Sequence, residues 1–171
     1  MNKEKLKKQI TDSAGNNLYT YAAHWIIVNR LKKQDRGIKI AQIALTALTT
    51  GGILTSIIAG IPWLSWVGGA TSALALFLNL YTLNFNAAGE IKKHTDAAND
   101  LWDIREAYRS LLADFDILSD QEITAKRDEL IAATSKVNKN YPGTDDKAFA
   151  KAKENIGKYT VAPDEAEKLI S

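Results

Sequence analysis

The sequence predicts an all-α membrane protein: a two-helix transmembrane hairpin, with long N- and C-terminal cytoplasmic helices forming an antiparallel stalk or bundle. Three observations predict it. No Asp, Glu, Lys, Arg or His occurs from Ile40 through Gly89, 50 consecutive residues of 171. A Gly60-Ile-Pro62 turn divides that block into two lengths that each suit one crossing. On both sides of it, apolar residues recur at helical rather than alternating spacing.

The overall composition, 46% hydrophobic and 25% charged, is that of an ordinary soluble chain and conceals this segregation. Twelve charged residues lie in 1–39 and thirty in 90–171. The first group is net +6 and the second net −4. A soluble helical hairpin needs polar residues at helical spacing on its outer face, and the central block has no charged face at all. With no cysteine there is no disulfide framework, zinc-finger cluster or thiol nucleophile. The net charge of +2 does not suggest a dedicated nucleic-acid binder. The first strong apolar run begins near residue 38, too far in for a cleavable signal peptide.

Residues 2–35 read as a cytoplasmic helix with Leu6, Ile10, Leu18, Ala22, Trp25 and Ile26 at roughly helical spacing. Gly15-Asn-Asn17 is expected to kink or break it, and Gly37 to mark the joint with the first span. Lys3, Lys5, Lys7 and Lys8 make a basic tip, read either as a solvated helix end or as an anionic-lipid contact.

A helix crossing the hydrocarbon core needs about 20 residues. The spans are placed at 39–60 and 63–85. Pro62 lacks an amide hydrogen and disfavours helix at Ile61, which fixes the turn. Trp63 and Trp66 at one end, and Tyr81 and Phe85 at the other, fit interfacial belts. Arg30, Lys32, Lys33, Arg36 and Lys39 precede the first span, and Lys92 and Lys93 follow the second. The positive-inside rule then puts both termini in the cytoplasm. A buried hairpin inside a soluble oligomer is the competing reading.

On a helical wheel Gln42, Thr46, Thr49, Ser56 and Gly60 share one face of the first span, with Gly52 at its edge. Ser65, Gly68, Ser72, Asn79 and Asn86 share one face of the second. Gly52-x3-Ser56-x3-Gly60, Gly68-x3-Ser72 and Gly69-x3-Ala73 are patterns that let helix backbones approach closely. The faces are read as helix packing or as the lining of an oligomeric pore. Two crossings without intramembrane ionisable groups do not make a transporter.

Residues 87–116 form a helix with a stripe of Ile91, Ala98, Leu101, Tyr108, Leu112 and Phe115, expected to continue straight out of the second span. Its natural partner is the N-terminal helix. Ser119-Asp-Gln-Glu122 is a capping box opening a helix over about 120–139, which Pro142-Gly143 follows. A short helix starts after Thr144-Asp-Asp, and residues 158–171 are read as a polar tail.

No phosphate-binding Gly-rich loop, GxSxG elbow or HExxH motif is present. Asp100, Asp103 and Glu106 share their helix with Arg105 and Arg109 and read as a charged solvent face. His24 reads as a packing histidine. His94 reads as an interfacial residue, paired with a carboxylate such as Glu90 or acting as a proton sensor. The chain is therefore expected not to be an enzyme and to need no cofactor and no metal.

The N-terminal Tyr21-x2-His24 and Arg30-Leu-Lys-Lys33 lead into a Thr/Gly-rich hairpin. Lys92-Lys-His94-x3-Ala98-x2-Leu101-x3-Arg105-x2-Tyr108-x2-Leu111-Leu112 follows. This arrangement resembles the SLATT proteins, the SMODS and SLOG-associating two-transmembrane effector domains of bacteria. The resemblance implies a SLATT-like domain over 1–118 with a C-terminal helical region over 119–171, and interface or gating positions at His94, Arg105 and Tyr108. It also implies an inner-membrane effector of anti-phage defence that oligomerises and forms a pore or disrupts the membrane, as abortive infection. The implied partners are the lipid bilayer, further copies of the chain, and a nucleotidyltransferase-derived cyclic nucleotide signal or a reverse transcriptase. No sensor domain is recognisable in the sequence. A membrane-anchored scaffold for a cytoplasmic partner and a holin-like protein are the alternatives.

Overall fold

The computed structural model describes residues 3–156, and all of its regular structure there is helical. The elements are α1 (Lys3–Ala59), α2 (Trp63–Asn84), α3 (Ala87–Ala113), α4 (Asp120–Asn140) and α5 (Asp146–Asn155). The polar tail read at 158–171 lies outside the described residues. Two compact units emerge: residues 30–90, and the remainder of the chain on either side of them. The boundary at 118/119 falls inside the second of these.

The first difference from the sequence reading is α1. Neither Gly15-Asn-Asn17 nor Gly37 interrupts it. A glycine in a helix interior costs about 1 kcal/mol, but extending an existing helix adds a hydrogen bond per residue. At Asn17 the side chain, which favours turns when it bonds locally, is engaged instead. Its Nδ2 donates to the Ser13 carbonyl at 3.2 Å and to Thr134 Oγ1 at 3.1 Å. The second difference is the opposite one. Between α2 and α3 the helix stops: Phe85 is extended (φ −101°, ψ 93°), and Asn86 Oδ1 accepts the Gly89 N–H at 2.9 Å. An asparagine acceptor at that point starts a new helix rather than prolonging the old one.

In the larger unit the core is mostly alkyl and aromatic, with Asn17, His24, His94 and Arg105 buried in it. Leu6, Ile10, Ala14, Leu18 and Ala22 recur every four residues along α1 and are all buried. Leu101, Ile104, Tyr108 and Leu111 of α3 are buried too, with Ile123 and Val137 from α4 and Ala148 and Ala152 from α5. Contacts step forward along α1 as they step backward into α3 from the turn that follows it: Lys7 lies over the ring of Phe115 in that turn, Tyr21 packs on Trp102, and His24 on His94. The α4 contacts rise with α1, through Gln9–Arg127 and Asn17–Thr134. The capping box is made in full: Ser119 Oγ accepts the Glu122 N–H, and the Glu122 carboxylate accepts the Ser119 N–H at 2.9 Å. The Ser119 hydroxyl, which donates to the Glu122 carboxylate at 2.6 Å, and after it the Ser119 N–H hold the Glu122 carboxyl below its ordinary range. The short α5 is capped by Asp145, which accepts the Ala148 N–H at 2.8 Å, and lays Phe149 against Tyr19.

The smaller unit is built the other way round. Gly60 turns the chain with φ +65°, a value that only glycine adopts freely, and Pro62 opens α2. Ile58 and Trp66 are each 83% exposed and Leu83 81%, and both helices are long and apolar enough to cross a membrane. Only 6% of each apolar stretch is buried, so neither is the covered core helix of a soluble monomer.

Candidate functional site

The polar residues of the hairpin meet along one seam. At its wide end Gln42 Nε2 donates to Asn79 Oδ1 at 2.9 Å and to Thr82 Oγ1 at 3.4 Å. Midway, the hydroxyls of Thr49 and Thr71 lie 2.9 Å apart. Next to the turn, those of Ser56 and Ser65 lie 2.6 Å apart, and Ser56 Oγ also donates to the Ile61 carbonyl at 3.1 Å. Gln42, Thr49 and Ser56 are spaced seven apart, the repeat that keeps one seam facing a partner helix. One of the two threonine hydroxyl protons makes the Thr49–Thr71 bond, and the other goes to its own helix: from Thr49 to the Leu45 carbonyl, or from Thr71 to the carbonyls of Val67 and Gly68. Without water, a hydroxyl or amide needs such a partner.

Close approach depends on Gly68. A methyl group there would stand 3.0 Å from Ile53 Cγ1, tighter than ordinary packing. Gly52 is looser, since a methyl there would reach only Leu64 O at 4.0 Å. Of the residues read from the sequence, Gln42, Thr49, Ser56, Ser65 and Asn79 are joined across the seam, and Gly52 and Gly68 lie along it. Gly60 forms the turn. Thr46 points outward, with its hydroxyl returned to the Gln42 carbonyl at 2.8 Å. Ser72 is exposed. The sequence reading missed Thr71 and Thr82. Residues 71 and 72 sit 100° apart on the wheel and straddle the seam, so hydropathy alone could not choose between them.

The three positions outside the spans are interior. His94 is 6% exposed, Tyr108 1% and Arg105 0%. His94 Nδ1 lies 2.8 Å from His24 Nδ1, so one ring donates and the other accepts. Burial first, and the charge of His94 second, hold the His24 imidazole down at about 4. Arg105 stacks on the Trp102 ring, 4.4 Å to its centre, and pairs with Glu106, which Arg109 also meets at 3.1 Å. Burial raises the Tyr108 phenol, while its hydrogen bonds to Ser13 and Thr134 pull the other way. Among the described residues no group of three or more His, Cys, Asp or Glu is placed to hold a metal ion.

A helical hairpin with an apolar exterior, aromatic ends and a self-satisfied polar seam defines a two-span membrane protein. The match to a family model then makes the class specific. The model, described as SMODS and SLOG-associating 2TM effector domain family 4, fits residues 6–161, and the chain belongs to that family. Comparison with curated proteins and with solved structures returns no match.

Proposed function

We propose that the protein is a non-enzymatic inner-membrane effector of bacterial anti-phage defence. On activation it assembles from several copies and opens a pore or disrupts the bilayer, ending the infected cell. The observation that carries this reading is the inverted hairpin: most of its large apolar side chains are exposed, and amide and hydroxyl groups of the two helices meet along one seam. One copy encloses no water path. Conduction therefore needs a second arrangement, in which seam groups exchange partners with those of other copies.

In this reading both termini are cytoplasmic, because Lys and Arg flank the spans and none lies in the Pro62 turn. The helices of the larger unit form the cytoplasmic stalk that receives the signal, either a cyclic nucleotide made by a partner nucleotidyltransferase or contact with a reverse-transcriptase partner. Induced expression with the neighbouring defence genes, followed by a membrane-potential dye, tests the proposal. Collapse of the potential on triggering is the expected result, and normal permeability in fully triggered cells overturns it. A scaffold would keep working with an unrelated hairpin in place of residues 39–85, whereas this effector would not.

A further inference from the structure

The larger unit holds a cavity of about 410 Å³ where α1, α3 and α4 converge, within the usual size range of small-molecule sites. Its composition sets it apart from the rest of that unit. Eight of its nine lining residues bear uncharged hydroxyl or amide groups, Ile131 is the ninth, and no Lys, Arg, His, Asp or Glu lines it. In the same unit Asp, Glu, Lys and Arg dominate the exposed positions.

The floor is buried and hydrogen-bonded. Asn17 is 3% exposed, and it bonds both the Ser13 carbonyl and Thr134 Oγ1. The buried Tyr108 hydroxyl bonds the Ser13 and Thr134 side chains. The rim is different. Asn16 on the α1 wall and Ser135 and Asn138 on the α4 wall are not hydrogen-bonded through their side chains to any described residue. Two carboxamides with unused donors and acceptors thus stand on opposite walls above a satisfied polar floor.

We infer that this cavity is a binding site for an uncharged small molecule carrying a lactam, ureido or carboxamide edge. A carboxamide offers one donor and one acceptor side by side in a plane, and its complement is another group of the same kind. Two of them across a cleft select a ligand with such an edge on each side, and the hydroxyls of Thr20 and Ser135 adapt around it. An anion is disfavoured, because it would leave water with no cation lining the cavity. The nearby Arg109 is occupied by Glu106. The bound molecule would bridge α1 to α4, adding to the Asn17–Thr134 link. The site stands whether or not the spans conduct.

Saturation-transfer NMR on the full chain in lipid nanodiscs tests the site, with 2,5-piperazinedione, a ring with a lactam edge on each side, as the lactam probe, glycerol as the polyol and inorganic phosphate as the anion. The lactam should give saturable binding, at least about tenfold tighter than either control. Asn16→Leu and Asn138→Leu change exposed side chains, so the fold survives, and each should weaken lactam binding about tenfold. Asn140→Leu, outside the cavity, should not. The inference is overturned by any of three results: no saturable lactam binding, phosphate or glycerol binding as tightly, or lactam binding that survives both cavity variants.

Discussion

Upstream of Asn29, α1 hides its alkyl side chains and shows its charges; downstream of Lys39 it shows most of its alkyl side chains and turns Gln42, Thr49 and Ser56 toward α2. One uninterrupted helix thus obeys two opposite solvation rules. In the larger unit water lies outside, so burying Leu and Ile stabilises and an exposed Lys costs nothing. In the hairpin the surroundings are as apolar as leucine, so alkyl burial yields little. Helix contact there rests on close packing at Gly68 and on hydroxyl and amide pairs. The same residue type should therefore matter very differently in the two units.

The largest contrast is a pair of identical truncations. Leu101 is fully buried in the larger unit, and Leu101→Ala should destabilise it by about 2–5 kcal/mol. Leu76 is 60% exposed on the hairpin, and Leu76→Ala should change hairpin stability by less than about 0.5 kcal/mol. Urea unfolding of the full chain in nanodiscs, followed by hydrogen exchange in each unit, reads both. Comparable losses would mean that the outer face of the hairpin is covered by protein rather than lipid.

Acid should separate the units next. Folded His24 titrates at about 4 against 6.5 in its ordinary state. Between those values the unfolded chain takes up a proton that the folded one refuses, so stability falls as pH drops from 6.5 to 4 and is level above that window. The loss is at most about 3 kcal/mol, confined to the larger unit. Hydrogen exchange of α1 and α3 across that range should show it, and His24→Leu should flatten the slope. A slope unchanged in that variant would assign the acid sensitivity elsewhere.

Parts of this architecture were open to sequence reasoning and parts were not, for physical reasons. The spans read at 39–60 and 63–85 end where Gly60 and Pro62 force a turn, and α2 occupies Trp63–Asn84. The Ser119 capping box is a local exchange of two hydrogen bonds, so four residues suffice to reveal it. The continuity of α1 was hidden because its support is distant: Asn17 meets Thr134, 117 residues later. The His24–His94 contact was hidden likewise, since 70 residues separate two rings that each looked alone. Helical periodicity located the polar faces of the hairpin but not their exact register, which is why Thr71 rather than Ser72 stands opposite Thr49.

Within the hairpin, glycine position provides a finer cut. Gly68→Leu forces a side chain against Ile53 and should weaken helix contact by about 1–3 kcal/mol. Gly69→Leu, where nothing stands within 4 Å, should be neutral. Disulfide trapping between cysteines placed at Leu45 and Ala75 would report the difference as slower cross-linking in the first variant alone. Equal rates would show that the helices do not meet at Gly68.

The smallest effect is the most informative about mechanism. Thr49→Val and Thr71→Val each remove one hydroxyl from the pair at 2.9 Å while nearly conserving shape. A hydrogen bond between membrane helices averages about 0.6 kcal/mol in double-mutant cycles. Single variants should therefore destabilise the closed hairpin slightly, and the coupling in the double variant should be of that size. In the proposed effector so modest a value suits a switch: a seam held by several weak pairs would stay closed at rest, yet could trade partners with another copy at little net loss. A coupling near zero would leave the threonine pair a bystander. A coupling of several kcal/mol would make the seam a permanent fastening and move any opening motion elsewhere in the molecule.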